Sequence, residues 1–182
     1  DGFMPYVNTI GTFLTRRCYE QILVDVCLHN LPIRLIANGG GLVYAPLGPT
    51  HQSIEDIALL KSLPNLSIIA PCDEIEMETI MHATLNWNSP LFIRIGKGDE
   101  KIITYKSTEI IIDKSVIKKD IKKIVIISTG VMTQTAIEVS DKLKKEDNIE
   151  VGVVHMHTIK PLDVHLLDDL LHNSKLSIFL MS

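Results

Sequence analysis

The sequence has few cysteines and no excess of positive charge, and it lacks any long apolar run. Its 182 residues include only 3 cysteines and no CxxC pair, so a disulfide framework is not indicated and a reduced, cytoplasmic protein is the simplest interpretation. The 18 Lys and Arg against 22 Asp and Glu give a net charge of −4, which argues against a nucleic-acid partner. No apolar run reaches the roughly 18 residues of a membrane span.

Two common nucleotide-binding signatures are also missing, since neither GxGxxG nor GxxxxGK[ST] occurs in the chain. The composition is that of a chain that folds. Hydrophobic residues make up 46% of the chain and charged residues 22%, which is enough apolar side chain to bury a core. A folded α/β protein is therefore the first expectation.

Strand patterns and helix patterns alternate along most of the chain. Strands are predicted at 7–10, 33–37, 66–70, 91–95, 124–130, 151–155 and 176–180. Helices are predicted at 13–29, 51–61, 74–87, 133–145 and 163–171, with Thr12, Asp73 and Asp163 as N-terminal caps or openings. This alternation is typical of parallel sheets with right-handed crossovers.

The segment between the two αβ series changes character. Residues 99–121 show no helical period, and we expect an extended connector with one edge strand around 109–112. The chain is therefore predicted to contain an α/β unit at 1–98, this connector at 99–121, and a second α/β unit at 122–182.

A glycine-rich stretch is the main chemical signal. Residues 38–52 contain four glycines and two prolines, which excludes regular structure over most of the stretch. The stretch follows a predicted strand and leads into a predicted helix, the place where open α/β sheets bind ligands. At the start of that helix His51 would be held as a neutral imidazole by the helix dipole. The alternative is that His51 caps the helix or bonds a neighbouring carbonyl.

Several segments, at these separations and in this order, resemble the transketolase family, including 1-deoxyxylulose-5-phosphate synthase. The segments are Thr12-Phe13-Leu14-Thr15-Arg16, Gly48-Pro49-Thr50-His51-Gln52, Ala70-Pro71-Cys72-Asp73, Leu91-Phe92-Ile93-Arg94 and Thr158-Ile159-Lys160-Pro161-Leu162-Asp163. The resemblance implies an N-terminally incomplete pyrimidine-binding domain followed by part of a transketolase C-terminal domain. We therefore expect a fragment of a longer polypeptide, or a subunit of which only part is present.

The same resemblance implies thiamine diphosphate as cofactor and two-carbon transfer between sugar phosphates, or from a 2-oxo acid, as the reaction. Phe13 would pack on the aminopyrimidine ring, and Tyr19 would add to that aromatic pocket. His51 would contact the donor oxygen and move or orient protons. Arg16 would line the substrate channel, and Arg94 would hold a sugar phosphate.

Each of these residues also has a structural interpretation. Phe13 and Tyr19 are aromatic residues of a type that commonly packs in a core. Arg16 would ordinarily lie on a solvated helix face, and a carboxylate could satisfy Arg94. No metal site is predicted, because His155 and His157 have no carboxylate or cysteine at ligand spacing nearby.

Parts of the family's site have no counterpart in the chain. The activating glutamate would precede residue 1, and the diphosphate and Mg²⁺ would be held by a partner domain. The family's aspartate before Gly-Pro-Thr-His is Leu47 here, which leaves ketose-phosphate specificity open. We expect the chain alone to be inactive and to join a second protomer or an N-terminal subunit. The alternatives are an enzyme like 1-deoxyxylulose-5-phosphate synthase and a non-catalytic assembly subunit that keeps the fold.

Overall fold

The computed structural model describes residues 2–105 and 109–181 and contains two sheets with flanking helices. The strands are β1 Tyr6–Ile10, β2 Arg34–Asn38, β3 Ser67–Ile69, β4 Leu91–Ile95, β5 Val116–Lys119, β6 Ile124–Ser128, β7 Val151–His155, β8 Thr158–Lys160 and β9 Leu176–Leu180. The helices are α1 Gly11–Thr15, α2 Tyr19–Gln21, α3 Asp56–Lys61, α4 Glu74–Ala83, α5 Met132–Asp147 and α6 Val164–Asn173, with a π-helical segment Ile22–Cys27 and a 3₁₀ turn Ala45–Leu47.

The first sheet has the order β1-β2-β4-β3-β8. Its first four strands are parallel, as predicted, because the three connections between them are crossovers that return the chain to the same end of the sheet. The fifth strand, β8, pairs antiparallel with β3 and comes from the second half of the chain. Ile159 on β8 packs in the same apolar cluster as Phe92 on β4. The second half of the chain thus completes the sheet and the core of the first.

The second sheet has the order β5-β7-β6-β9, with β7, β6 and β9 parallel and β5 antiparallel at the edge. The predicted edge strand at 109–112 is wrong, since the connector's strand is Val116–Lys119. Ile110 instead lies buried against the apolar cluster that contains Leu91 and Ile93. Ile110 in this segment therefore packs against the first unit, and the connector's strand lies further along the chain.

Two predicted helices are shorter than the pattern suggests. The predicted helix 13–29 is divided into α1, α2 and the π-helical segment, because the chain turns after Thr15. The predicted helix 51–61 begins only at Asp56, as α3. In both places, residues that fit a helical period lie in a turn or loop instead of a helix.

Two aspartates begin helices as predicted and also fasten the connector. Asp73 accepts a hydrogen bond from the backbone N–H of Glu76 with one oxygen, and from Ile103 and Thr104 with the other. Asp163 begins α6 in the same way and accepts from the backbone N–H of Ser115. Within the described ranges, every helix is too short or too polar to cross a bilayer.

Candidate active site

Phe13 and His51 meet where the first two parallel strands end. Helix α1, which carries Phe13, follows β1 directly, and the glycine-rich loop with His51 follows the neighbouring strand β2. The two rings make an edge contact, with centroids 5.2 Å apart and planes inclined by 64°. The guanidinium carbon of Arg17 lies 4.1 Å from the Phe13 ring centroid, which is a cation–π distance. Both Phe13 and His51 are only partly buried, so this group lies at the surface of the sheet's end.

Glycine lets the His51 loop fold back against the strand ends. Gly39 adopts a φ of 77°, and a side chain there would overlap the Tyr44 ring at 2.1 Å. The next two glycines form bridges to Ser53, so the start and the end of the loop lie together. A Cβ on Gly11 would lie 2.9 Å from the Ser53 hydroxyl, which shows how closely α1 approaches the loop. These close approaches position His51 beside Phe13.

Thr12 on α1 and Arg16, the residue that follows α1, hold the loop on both sides of His51. Arg16 donates hydrogen bonds of 2.6 Å and 2.8 Å to the carbonyl oxygens of Pro49 and Gln52, and it pairs with Glu55. The Thr12 hydroxyl donates a 2.6 Å bond to the carbonyl of Thr50. The hydrogen bond from Arg16 lowers the pKa of Glu55, which keeps that pair charged. The side chains of Thr12 and Arg16 therefore hold three backbone carbonyls of residues 49–52.

The His51 imidazole is oriented by its neighbour in the chain. Its Nδ1 lies 2.8 Å from the Thr50 hydroxyl. Because α3 begins only at Asp56, His51 lies before the helix, and the argument from the helix dipole does not apply to it. Within the part of the chain that the structure describes, Nε2 has no hydrogen-bond partner. This nitrogen is the one that a substrate could meet.

Arg94 lies in the floor below the loop. Its side chain is 4% exposed, and its Nε donates a 2.8 Å hydrogen bond to Asp56, whose side chain is 1% exposed. A further bond reaches the carbonyl of Ser53, and the guanidinium covers Gly40 so closely that a Cβ there would lie 2.5 Å away. The structure thus places Arg94 in a buried ion pair, and its role in holding a phosphate stays a prediction.

Tyr19 lies apart from the Phe13–His51 group. Its ring packs against the first unit's core, and its hydroxyl is 3.0 Å from that of Ser62, just after α3. The structure therefore brings together Phe13, His51 and Arg16, with Arg94 beneath them, and places Tyr19 against the first core and Ser62. The alternative of core packing, also drawn from the sequence, describes Tyr19 better than the aromatic pocket does.

A second polar group lies fully buried where the two sheets meet. Nε2 of His155, at the end of β7, lies 2.7 Å from Oε2 of Glu76 on α4, and both side chains are 0% exposed. The other ring nitrogen of His155 lies 2.7 Å from the Thr133 hydroxyl on α5. The backbone N–H of Cys72 also donates to Oε2 of Glu76. This group, which we call the seam cluster (Cys72, Glu76, Thr133 and His155), joins the two units.

Burial and charge act in opposite directions in and beside the seam cluster. Burial raises the pKa of Glu76, but the adjacent His155 outweighs it and brings that pKa down to about 2. Burial also lowers the pKa of the neighbouring His157 to about 4, and it raises the pKa of the Cys72 thiol. At neutral pH Glu76 is therefore ionised, while His157 is neutral and Cys72 is a thiol.

Sequence reasoning did not single out Asp56 and Glu76 for these contacts. In the sequence, Asp56 lies on the polar side of a predicted helix. Glu76 is one of the acidic residues expected near the N-terminus of another helix, where the helix dipole is positive. Nothing local shows that either is buried, since their partners Arg94 and His155 lie 38 and 79 residues away.

Fold and site together define the class of this protein. Parallel strands β1 and β2 end beneath a glycine-rich loop that presents an imidazole beside a partly exposed aromatic ring, an arrangement typical of α/β proteins that bind a ligand at the carboxyl ends of their strands. Residues 1–101 match the transketolase pyrimidine-binding domain, and residues 113–181 match the transketolase C-terminal domain. The chain belongs to the transketolase family.

Individual relatives agree with this assignment. A 1-deoxy-D-xylulose-5-phosphate synthase of Clostridium perfringens is 39% identical over 171 residues, which cover 93% of this chain and 27% of that enzyme. The same enzyme of Dictyoglomus turgidum is 36% identical over 182 residues, covering 98% of this chain and 29% of the relative. The chain thus spans less than a third of the length of these curated relatives.

A solved structure agrees over the whole chain. A split-gene transketolase, described as an inactive β4 tetramer, superposes with a TM-score of 0.90 at 25% identity and covers 100% of this chain and 58% of that one. The prediction of a transketolase-type α/β fold is confirmed.

Proposed function

We propose that this chain is part of a thiamine-diphosphate-dependent enzyme that transfers two-carbon units, either between sugar phosphates or from a 2-oxo acid. The observation that carries the proposal is the contact of Phe13 and His51 at the ends of β1 and β2. An aromatic ring there can pack on a heterocycle, and the imidazole beside it can hold or move a proton. Membership of the transketolase family supports the same reaction class.

The residues present fit the aminopyrimidine half of thiamine diphosphate. Among the residues that the structure describes, Phe13 belongs to none of the buried apolar clusters, and it keeps part of its surface exposed. When bound, the cofactor supplies a carbanion that adds to a carbonyl donor. The diphosphate and Mg²⁺ are proposed to be held by a partner, so that the cofactor lies between this chain and that partner. A homodimer or a hetero-oligomer in the cytoplasm is the corresponding assembly.

The residues around the loop have separate roles in this proposal. The contact between Thr50 and Nδ1 of His51 orients the imidazole, and Nε2 holds or gives up a proton at the donor oxygen. Arg16, whose side chain is 37% exposed, fixes the loop and offers its open side to the substrate channel. Arg94 is proposed to act near a sugar phosphate, although its contacts with Asp56 favour a positioning role.

A second candidate within the same chemistry is an enzyme like 1-deoxy-D-xylulose-5-phosphate synthase, which would take its two carbons from a 2-oxo acid. The observation that favours it is the name shared by the relatives at 39% and 36% identity. The third candidate is a non-catalytic assembly subunit. It is favoured by the structural neighbour described as an inactive tetramer.

An activity measurement on the complete complex separates these candidates. The complex is assayed with thiamine diphosphate and Mg²⁺, once with a ketose phosphate donor and once with a 2-oxo acid donor. A His51→Ala variant is expected to lower turnover by about 10²- to 10⁴-fold on the accepted donor. A matched His172→Ala variant, at a side chain 74% exposed on α6, is expected to keep full turnover. If the complex turns over neither donor, the assembly subunit is favoured. If His51→Ala keeps full turnover, His51 has no part in the mechanism.

A further inference from the structure

Three metal-ligating side chains come together in the seam cluster. One ligand atom each from Cys72, Glu76 and His155 lies within 4.8 Å of the other two, and all three side chains are buried. Cys72 lies two residues before the start of α4, Glu76 lies in the first turn of that helix, and His155 ends β7. Because the residues come from both units, a bond to all three would join the units directly.

Two buried atoms beside these ligands lack hydrogen bonds. Within the described residues, Oε1 of Glu76 and Nε2 of His157 are fully enclosed and have no hydrogen-bond partner. The His157 ring centroid is 6.0 Å from that of His155. A buried carboxylate oxygen and a buried imidazole nitrogen without partners are costly in an apolar interior, and a bound cation would satisfy both.

We propose that the seam cluster is a structural site for a divalent ion of the zinc class, bound by Cys72 Sγ, Glu76 and His155 Nε2, with His157 Nε2 as the fourth ligand. A mixed sulfur, nitrogen and oxygen set suits Zn²⁺ and does not suit Mg²⁺ or Ca²⁺, which take oxygen ligands. Four protein ligands leave no open position, so the ion stabilises the junction and carries out no chemistry there.

Binding requires a rearrangement of the side chains in the cluster. A tetrahedral ion with bonds of about 2.0–2.3 Å separates its ligand atoms by roughly 3.3–3.8 Å. The ligand atoms of Cys72, Glu76 and His155 lie within 4.8 Å of one another, so shifts of about 1 Å bring these three to such separations. His157 is outside this group, with its ring centroid 6.0 Å from that of His155, so its side chain must rotate further to supply the fourth ligand. The 2.7 Å contact of His155 with Glu76 holds the same residues together when the ion is absent. Thr133, at 2.7 Å from Nδ1 of His155, orients the ring as outer-shell partners of metal-bound histidines do.

The protons balance as follows on binding. The Cys72 thiol loses one proton to solvent and binds as a thiolate, and Glu76 is already ionised. His155 binds through Nε2 as a neutral imidazole with its proton on Nδ1, where the Thr133 hydroxyl accepts a hydrogen bond. At least the Cys72 proton is therefore released for each ion bound, and affinity rises with pH.

One neighbouring charge opposes binding. The ammonium of Lys118 donates a 3.0 Å hydrogen bond to the Thr104 hydroxyl, which lies 3.4 Å from Cys72 Sγ. A cation at the seam cluster would be repelled by it. Removing that charge in a Lys118→Met variant is expected to tighten binding, whereas Lys118→Arg is expected to leave it nearly unchanged.

The test is a titration of the full chain with Co²⁺ and Zn²⁺ after prolonged incubation, because the site is enclosed. We expect one equivalent of Co²⁺ to bind with a thiolate-to-cobalt absorption band, and Zn²⁺ to displace it and raise the melting temperature. Cys72→Ser is expected to abolish the band and weaken binding at least about tenfold. The matched variant Cys27→Ser, at a buried cysteine of the first core, is expected to keep the absorption band and the affinity.

Two results would overturn the proposal. The first is the absence of a thiolate band at one equivalent of Co²⁺ in a chain that is folded by circular dichroism. The second is a band that survives Cys72→Ser, because the thiolate would then come from another residue. Where Cys72→Ser does not fold, His157→Gln replaces it. This variant is expected to keep the thiolate band, change the visible spectrum and weaken binding, and an unchanged spectrum and affinity would exclude the four-ligand site.

Discussion

Arg94 Nε donates a 2.8 Å hydrogen bond to Asp56 Oδ2, and both side chains are almost completely buried beneath the His51 loop. The pair joins β4 to the start of α3. It therefore fixes the distance between the sheet and the His51 loop that leads into α3. Breaking such a pair leaves one charge without its partner in a poorly solvated place, whereas replacing both residues removes the charges together.

The ion pair gives the first prediction. Asp56→Asn is expected to lower the free energy of unfolding by about 3–5 kcal/mol, because Arg94 keeps its charge and loses its partner. The double variant Asp56→Leu with Arg94→Met is expected to recover much of that loss. Urea unfolding of the single and double variants measures both. If the destabilisation of the double variant equals the sum of those of Asp56→Leu and Arg94→Met measured singly, the two residues do not act as a pair.

Gly40 gives the second prediction, since its Cα faces the same guanidinium. A Cβ there would lie 2.5 Å from Arg94, and Arg94 cannot move without straining its bond to Asp56. Gly40→Ala is expected to destabilise the protein by about 1–3 kcal/mol, as overpacking does elsewhere. In an Arg94→Met background the same change is expected to cost less. An equal cost in both backgrounds would show that the clash lies elsewhere.

Arg16 gives the third prediction. Its hydrogen bonds to Pro49 and Gln52 hold the backbone on either side of His51. Arg16→Ala is expected to increase proteolytic cleavage within residues 48–55 and to lower the turnover of the complete enzyme by tenfold or more. Arg16→Lys keeps the charge but not the forked geometry, and an intermediate effect is expected. A change in KM alone, with the loop still protected, would assign Arg16 to substrate binding and not to the loop.

His157 gives the fourth prediction, which concerns pH. Burial lowers its pKa from 6.5 to about 4, so the unfolded chain binds a proton more readily than the folded one between these values. The free energy of unfolding is therefore expected to fall by roughly 3 kcal/mol as the pH drops from 6.5 to 4, and this loss reverses as the pH rises. The pKa of Glu76, lowered from 4.5 to about 2, adds a further loss below pH 4.5.

Unfolding by urea at a series of pH values measures this dependence. His157→Asn is expected to flatten the curve between pH 6.5 and 4 and to leave the loss below pH 4.5 in place. His172→Asn changes an exposed histidine and is expected to leave the curve as it is. A curve for His157→Asn that keeps its full slope above pH 4.5 would assign the dependence to another group.

The fifth prediction concerns the cofactor. Because the diphosphate and Mg²⁺ are proposed to be held by a partner, thiamine diphosphate and Mg²⁺ are expected to raise the melting temperature of this chain by little or nothing. The same additions are expected to stabilise the complex with the partner. Phe13→Ala should remove part of the stabilisation of the complex, and Tyr19→Phe should not. Strong stabilisation of the chain by itself would contradict a site shared with a partner.

Local sequence was enough for the class of the fold and for most of its elements, although not for β5 and β8. The apolar runs at β2, β4, β6 and β7 and the caps Asp73 and Asp163 lie where the pattern puts them, because burial of a strand and capping of a helix depend on adjacent residues. The errors lie where distant contacts decide. Residues 51–55 fit a helical period, but bonds from Arg16 and a bridge from Gly40 to Ser53 hold them as a loop.

The candidate site shows the same division. The sequence by itself determined that Phe13 and His51 each follow a predicted strand of a parallel sheet. Only the tertiary structure placed these two strands side by side, because order along the chain does not fix order in the sheet. Only the tertiary structure decided that Arg94 faces a buried Asp56 and that Glu76 meets His155 across the two units. Such pairs form between residues far apart in the chain, and their cost or benefit depends on burial that only the packed sheets provide.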